Sequence, residues 1–160
     1  MHIQPDDPLR DDVRALLEEH LRHMHSLSPP ESVHAMDWGR LRAPDITFWS
    51  VRDGEGLLLG CGALKALDAR HGEIKSMRTT EAARGRGAGR AMLNHILAEA
   101  RTRGCVRLSL ETGSQPGFVP ARTLYASAGF VECGPFADYV IDPNSVFMTL
   151  ELPTQPAARA

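Results

Sequence analysis

The feature that most restricts this chain is the run Arg84-Gly85-Arg86-Gly87-Ala88-Gly89, set between an extended segment and an amphipathic helix. Glu73 to Thr79 reads as a β-strand. From about Gly87 onward, Met92, Leu93, Ile96, Leu97 and Ala100 share one helical stripe, with Arg90, Asn94, Glu99 and Arg103 mostly opposite. Gly104 is a stop signal. A helix start presents unpaired N–H groups and a positive dipole end to the loop before it, which favours an anion there. Glycines at 85, 87 and 89 let backbone approach a phosphate with no Cβ in the way. Arg84, Arg86 and Arg90 add positive charge. A bare Gly/Arg run is otherwise a solvated turn, and its placement between strand and helix favours the phosphate cradle. Two other nucleotide signatures fail. The chain has no Gly-Lys-Ser/Thr, and a dinucleotide fingerprint starting at Gly85 would need a small residue where Arg90 stands.

Around this unit the pattern predicts helices, three strands, the helix after the glycines, a strand, a helix and two strands. Leu9, Val13, Leu16, Leu17 and Leu21 set a first helix from Asp7 to about Met24, and Pro30 to Met36 a short second one. Ile46–Val51 and Leu57–Leu67 form a hairpin across Asp53-Gly54-Glu55-Gly56. Gly60 and Gly62 within it suggest a bulge or a close backbone approach. Val106–Leu110 is a strand, Pro120–Ala128 a short helix ended by Gly129, and Val131 onward and Val146–Leu152 are strands. The order predicts an α/β (α+β) sheet domain over residues 1–152, with a frayed tail over 153–160.

Length and composition suit one soluble domain, with 160 residues, 42% hydrophobic and 24% charged. A formal charge of -2 argues against a dedicated nucleic-acid binder. No apolar run approaches the roughly 20 residues that span a bilayer, and the first residues lack a secretory pattern. Cys61, Cys105 and Cys133 are too far apart for a zinc-type pairing and read as free thiols, with Cys61 and Cys133 read as buried. Together these place the protein in the cytoplasm. His20, His23 and His25 lie close together but lack a ligand frame, so no metal is expected.

Arg84-Gly85-Arg86-Gly87-Ala88-Gly89 resembles the Arg/Gln-x-x-Gly-x-Gly/Ala signature of the GNAT superfamily, the GCN5-related N-acetyltransferases. Glu73–Thr79 resembles that family's fourth strand. Leu124-Tyr125-x-x-x-Gly129-Phe130 resembles its second signature, and the element order follows its fold over nearly the whole domain. The later stretches Ser109–Ser114 and Cys133–Met148 resemble a bacterial, small-molecule-type branch. The resemblance implies a mixed, mostly antiparallel sheet of six to seven strands, splayed at its centre and flanked by about four helices. It also implies acetyl-CoA (coenzyme A) bound where the fourth and fifth strands separate. Met77, Arg78 and Thr79 would line the pantetheine arm, and Arg84, Gly85, Arg86, Gly87, Ala88, Gly89 and Arg90 the pyrophosphate. Tyr125 occupies the family's general-acid position. Glu73 is the first choice of base and Glu111 the second, with His71 nearby. Met24, His25, His34 and Trp38 would border the acceptor. One departure is Phe118, at a position where members commonly carry asparagine against the cofactor arm.

The resemblance thus implies an N-acetyltransferase acting on a small-molecule amine, by direct attack through a tetrahedral intermediate. A protein or peptide N-acetyltransferase and a non-catalytic acyl-CoA-binding module are the alternatives. Many members dimerise, and the sequence leaves a homodimer open.

Overall fold

The computed structural model describes residues 1–29 and 39–153. The short helix expected over 30–36, the acceptor residues His34 and Trp38, and the tail from 154 lie outside the described residues. Within them run β1 (His2–Pro5), α1 (Asp11–Leu27), β2 (Ile46–Arg52), β3 (Leu58–Ala66), β4 (His71–Thr79), α2 (Ala88–Thr102), β5 (Arg107–Gly113), α3 (Val119–Ser127), β6 (Val131–Cys133) and β7 (Ser145–Glu151). The seven strands form one sheet in the order β1-β2-β3-β4-β5-β7-β6. All neighbours are antiparallel except β4 and β5.

Each face of the sheet is covered, because alternate side chains of β2 serve different cores. Phe48 joins Val13, Leu16 and Leu17 of α1. Trp49 and Val51 join Met92, Leu93, Ile96 and Leu97 of α2, and Tyr125 of α3 lies in the same core. The predicted α2 stripe is the buried one. Strand β1 is absent from the sequence-based reading. It is four residues long, mostly exposed and ends in proline, so it shows no alternation, and it is recruited by pairing with β2.

Two departures from regular pairing open the sheet. Cys61 pairs with Arg78 and Ala63 with Lys75, so Ser76 and Met77 together oppose Gly62. This is a β-bulge, with Ser76 at φ 55 and the Cys61 thiol donating to its carbonyl at 3.3 Å. A Cβ at Gly62 would stand 2.8 Å from Met92 and 2.9 Å from Met77, so a larger residue would have to displace those side chains. On its other edge, before the bulge, β4 holds parallel register with β5 only from His71↔Arg107 to Glu73↔Ser109. Past Glu73 the β5-facing edge of β4 has no strand partner, and the splay implied by the resemblance is present.

Candidate active site

A cleft of about 640 Å³ runs through this opening, walled by α1, β4, the glycine loop, β5 and α3. At one end Gly87 caps α2 with φ 86 and no side-chain hydrogen bond, and Gly85 has φ 78. An L side chain rarely holds such a conformation, so glycine is needed here for its dihedrals. The N–H groups of the first turn of α2 lack intrahelical acceptors by the geometry of any helix start. Arg84, Gly85, Gly87, Gly89 and Arg90 line the cleft. Arg86 does not, and its side chain is exposed, while the Ala88 methyl is buried in the core. These two have only main-chain groups to offer. Arg90 also donates to Ser127 Oγ at 2.6 Å, tying the loop to α3.

Met77, Arg78 and Thr79 line the middle of the cleft along the unpaired edge of β4. Open backbone, an anion-favouring helix start and two cleft-side arginines suit an extended amide chain ending in a pyrophosphate. Arg78 pairs with Glu19 of α1 at 3.6 Å, and its buried Nε has no partner among the described residues. His20, against the same arginine, is pushed down to about 4 by burial and then by that positive charge, so it is neutral.

Tyr125 sits on the cleft wall because of how α3 ends. Phe130 N–H donates to Tyr125 O at 3.1 Å and Gly129 N–H to Ala126 O at 3.0 Å, with Gly129 at φ 102. This is a Schellman motif, and the Phe130 ring packs edge-on against Tyr125 at 5.8 Å. The Leu-Tyr-x-x-x-Gly-Phe spacing is therefore the spacing of a helix stop. Burial raises the Tyr125 hydroxyl far above the ordinary phenol range, keeping it protonated. That hydroxyl has no hydrogen-bond partner among the described residues.

The two candidate bases differ. Glu73 is 3% exposed, and one of its oxygens accepts from Lys75 Nζ at 3.0 Å and from the Tyr139 hydroxyl at 2.7 Å. Glu111 lines the cleft and accepts from Ser145 Oγ at 3.2 Å. Its carboxyl is raised to about 7, chiefly by burial. The Ser145 hydroxyl and Lys75 pull it back down, while Glu73 and Asp142 push it up. His71 hydrogen-bonds Ser109 Oγ through Nε2 at 2.7 Å and is outside the cleft lining.

Of the acceptor residues expected from α1, Met24 lines the cleft. His25 does not: it is exposed, one residue round from the lining position. His20 and His23 line the cleft instead. Phe118, at the family's asparagine position, is buried against Gly113, where any Cβ would collide with its ring. It offers a hydrophobic wall. Lys75 and Tyr139 were not picked out as site residues from the sequence. They lie 64 residues apart, and no local pattern links them. Of the thiols, Cys61 is buried and pushed up to about 12, but Cys133 is exposed, contrary to the buried reading. Strand β6 is a three-residue edge strand whose side chains all face solvent.

The acetyltransferase (GNAT) family model matches residues 11–130. The chain belongs to the GNAT acetyltransferase family. It is 57% identical over 152 residues to the Bacillus subtilis N-acetyltransferase YsnE, itself uncharacterised, covering 95% of this chain and all of that one (100%). It is 42% identical over 148 residues to the Azospirillum brasilense protein named IAA acetyltransferase, covering 91% and 94% of the two chains. A Klebsiella pneumoniae structure described as a candidate acyl-CoA N-acyltransferase superposes with a TM-score of 0.79 at 28% identity, covering 94% and 97%. The GNAT family uses acetyl-CoA, and an aminoglycoside 6'-N-acetyltransferase with coenzyme A bound shares the fold at TM-score 0.69. The chain is an N-acetyltransferase of this family. No helix among the described residues is long and apolar enough to cross a membrane.

Proposed function

We propose that this N-acetyltransferase moves an acetyl group from acetyl-CoA to the amine of a small molecule, by direct attack on the thioester. The observation that carries the reading is one cleft in which an open β4 edge and a helix-start anion site lead to Tyr125 and Glu111. Met77, Arg78 and Thr79 hold the pantetheine arm. Arg84, Gly85, Gly87, Gly89 and Arg90, with the main chain of Arg86 and Ala88, hold the pyrophosphate.

Glu111 takes the proton from the acceptor's ammonium group, leaving the neutral amine that attacks the carbonyl carbon. The C–N bond forms first and gives a tetrahedral intermediate. As that collapses the C–S bond breaks, Tyr125 gives its proton to the departing thiolate, and the surplus proton on the new amide nitrogen passes to the Tyr125 phenolate, while Glu111 releases its proton to solvent. A thiol (about 8.5) releases its proton more readily than a phenol (about 10) in water. Burial of Tyr125 widens that gap, so the hydroxyl gives up its proton only as the nitrogen of the intermediate supplies another in its place. Glu111 displaces Glu73, the first choice from sequence, because Glu73 is committed to Lys75 and Tyr139. The relative named IAA acetyltransferase supports a small acceptor. The test is thiol release from acetyl-CoA across a panel of small amines and peptides. Acetyl-CoA binding without thiol release for any amine would sink the reading, and turnover of peptides alone would move the acceptor to polypeptide.

A further inference from the structure

Lys75 has no part in the chemistry above, yet it stands in the cleft with its side chain 12% exposed. A buried ion pair contributes little stability over well-packed apolar side chains, so stability is a weak reason to keep Glu73–Lys75. What the pair does locally is immobilise the ammonium. Glu73 Oε2 accepts from Lys75 Nζ at 3.0 Å, and the Tyr139 hydroxyl accepts from it at 3.1 Å. Tyr139 in turn donates to the same Glu73 oxygen at 2.7 Å, and its ring lies 5.7 Å from Nζ. The triangle clamps a flexible side chain in one place. An ammonium has three donors, and two have acceptors here among the described residues.

The register shows where that clamped charge stands. The last parallel pair is Glu73↔Ser109. Lys75 and Glu111 each lie two residues further along, so they occupy matching positions on the same face of the two diverging strands. Both line the cleft. The other cleft arginines are placed elsewhere: Arg84 and Arg90 at the glycine loop, and Arg78 against Glu19 of α1. The opening therefore sets a proton-accepting carboxyl opposite a fixed cation.

We infer that the acceptor is an amine that also carries a carboxylate, an amino acid, with its amine at Glu111 and its carboxylate on the remaining donor of Lys75. This rests on the acetyl-transfer reading and adds the substrate class to it. A charge-assisted hydrogen bond in such a cleft separates a carboxylate from its neutral counterpart by at least about tenfold.

The experiment compares matched sets, each an α-, β- or γ-amino acid with its carboxamide and its decarboxylated amine, by thiol release with the wild-type protein. The expected result is at least one set in which the amino acid exceeds both counterparts about tenfold in kcat/KM. In Lys75→Met that ratio falls to about one, and in Lys75→Arg it is largely kept. The wild-type ratio needs no variant, so a Lys75→Met chain that fails to fold leaves the inference open to refutation. Equal rates within every set, or a preference that survives Lys75→Met, overturns the inference while acetyl transfer stands. Silence with every amine overturns the acetyl-transfer reading, and this inference with it.

Discussion

Replacing Glu111 with Gln separates the cost of that carboxyl from its use. Gln keeps the shape and an oxygen for Ser145 Oγ, and it removes the charge that burial disfavours. The folded carboxyl titrates at about 7 against an ordinary 4.5, so between those values the folded chain holds a proton that the unfolded chain has released. Stability from this group is therefore intact below about pH 4.5 and is lost as pH rises through about 7. A displacement of about 2.5 pH units, at about 1.4 kcal/mol each, sets a ceiling on the order of 3 kcal/mol. The groups facing it from β4, β7 and the loop before β7 are Glu73, Lys75, Tyr139, Asp142 and Ser145. All of them remain in the variant. In urea unfolding, Glu111→Gln should match wild type at pH 4.5 and exceed it by up to about 3 kcal/mol at pH 8. The same variant should lose about a hundredfold or more in kcat/KM, with the acidic limb near pH 7 abolished. A wild-type-to-variant stability difference that stays constant from pH 4.5 to 8 would refute the burial argument. An unchanged acidic limb would refute the role as base.

Tyr125→Phe should lower kcat about a hundredfold, leave acetyl-CoA affinity by calorimetry unchanged, and move the unfolding free energy by less than about 1 kcal/mol, since the hydroxyl has no partner to lose among the described residues. Gly87→Glu places a side chain at φ 86 and an anion at the helix start. Acetyl-CoA binding should weaken at least tenfold in calorimetry, and an unaltered Kd would remove the cradle. Gly129→Ala strains a residue at φ 102 and brings a Cβ to 3.3 Å from Leu150. A loss of about 1–2 kcal/mol in urea unfolding is expected, with kcat falling more than acetyl-CoA affinity because the helix stop carries Tyr125.

What could be read from sequence divides along physical lines. The α2 stripe and the Gly129-Phe130 stop were legible because each is a local event, encoded within one or two turns of chain. Gly60 and Gly62 signalled a close approach for the same reason, since a missing side chain is visible wherever it occurs. That the extra residue of the bulge sits on β4 was not legible, because its strained residue is Ser76, and nothing about serine announces a positive φ. The order of the two bases was harder still. Glu73 and Glu111 sit on equivalent strands with similar flanks, and only long-range partners tell them apart. Tyr139 reaches Glu73 across 66 residues and Ser145 reaches Glu111 across 34. A carboxylate that accepts two hydrogen bonds on one oxygen is a holder of other groups. One with a single weak donor in a buried cleft is held back from ionising until near-neutral pH. The loop before β7 supplies Tyr139 and Asp142, and β7 itself Ser145, so under the proposed mechanism this C-terminal hairpin selects the strand that carries the base. Variation in that loop would alter the proposed acceptor end of the cleft while leaving the glycine cradle and the α3 stop, built from other segments of the chain, in place.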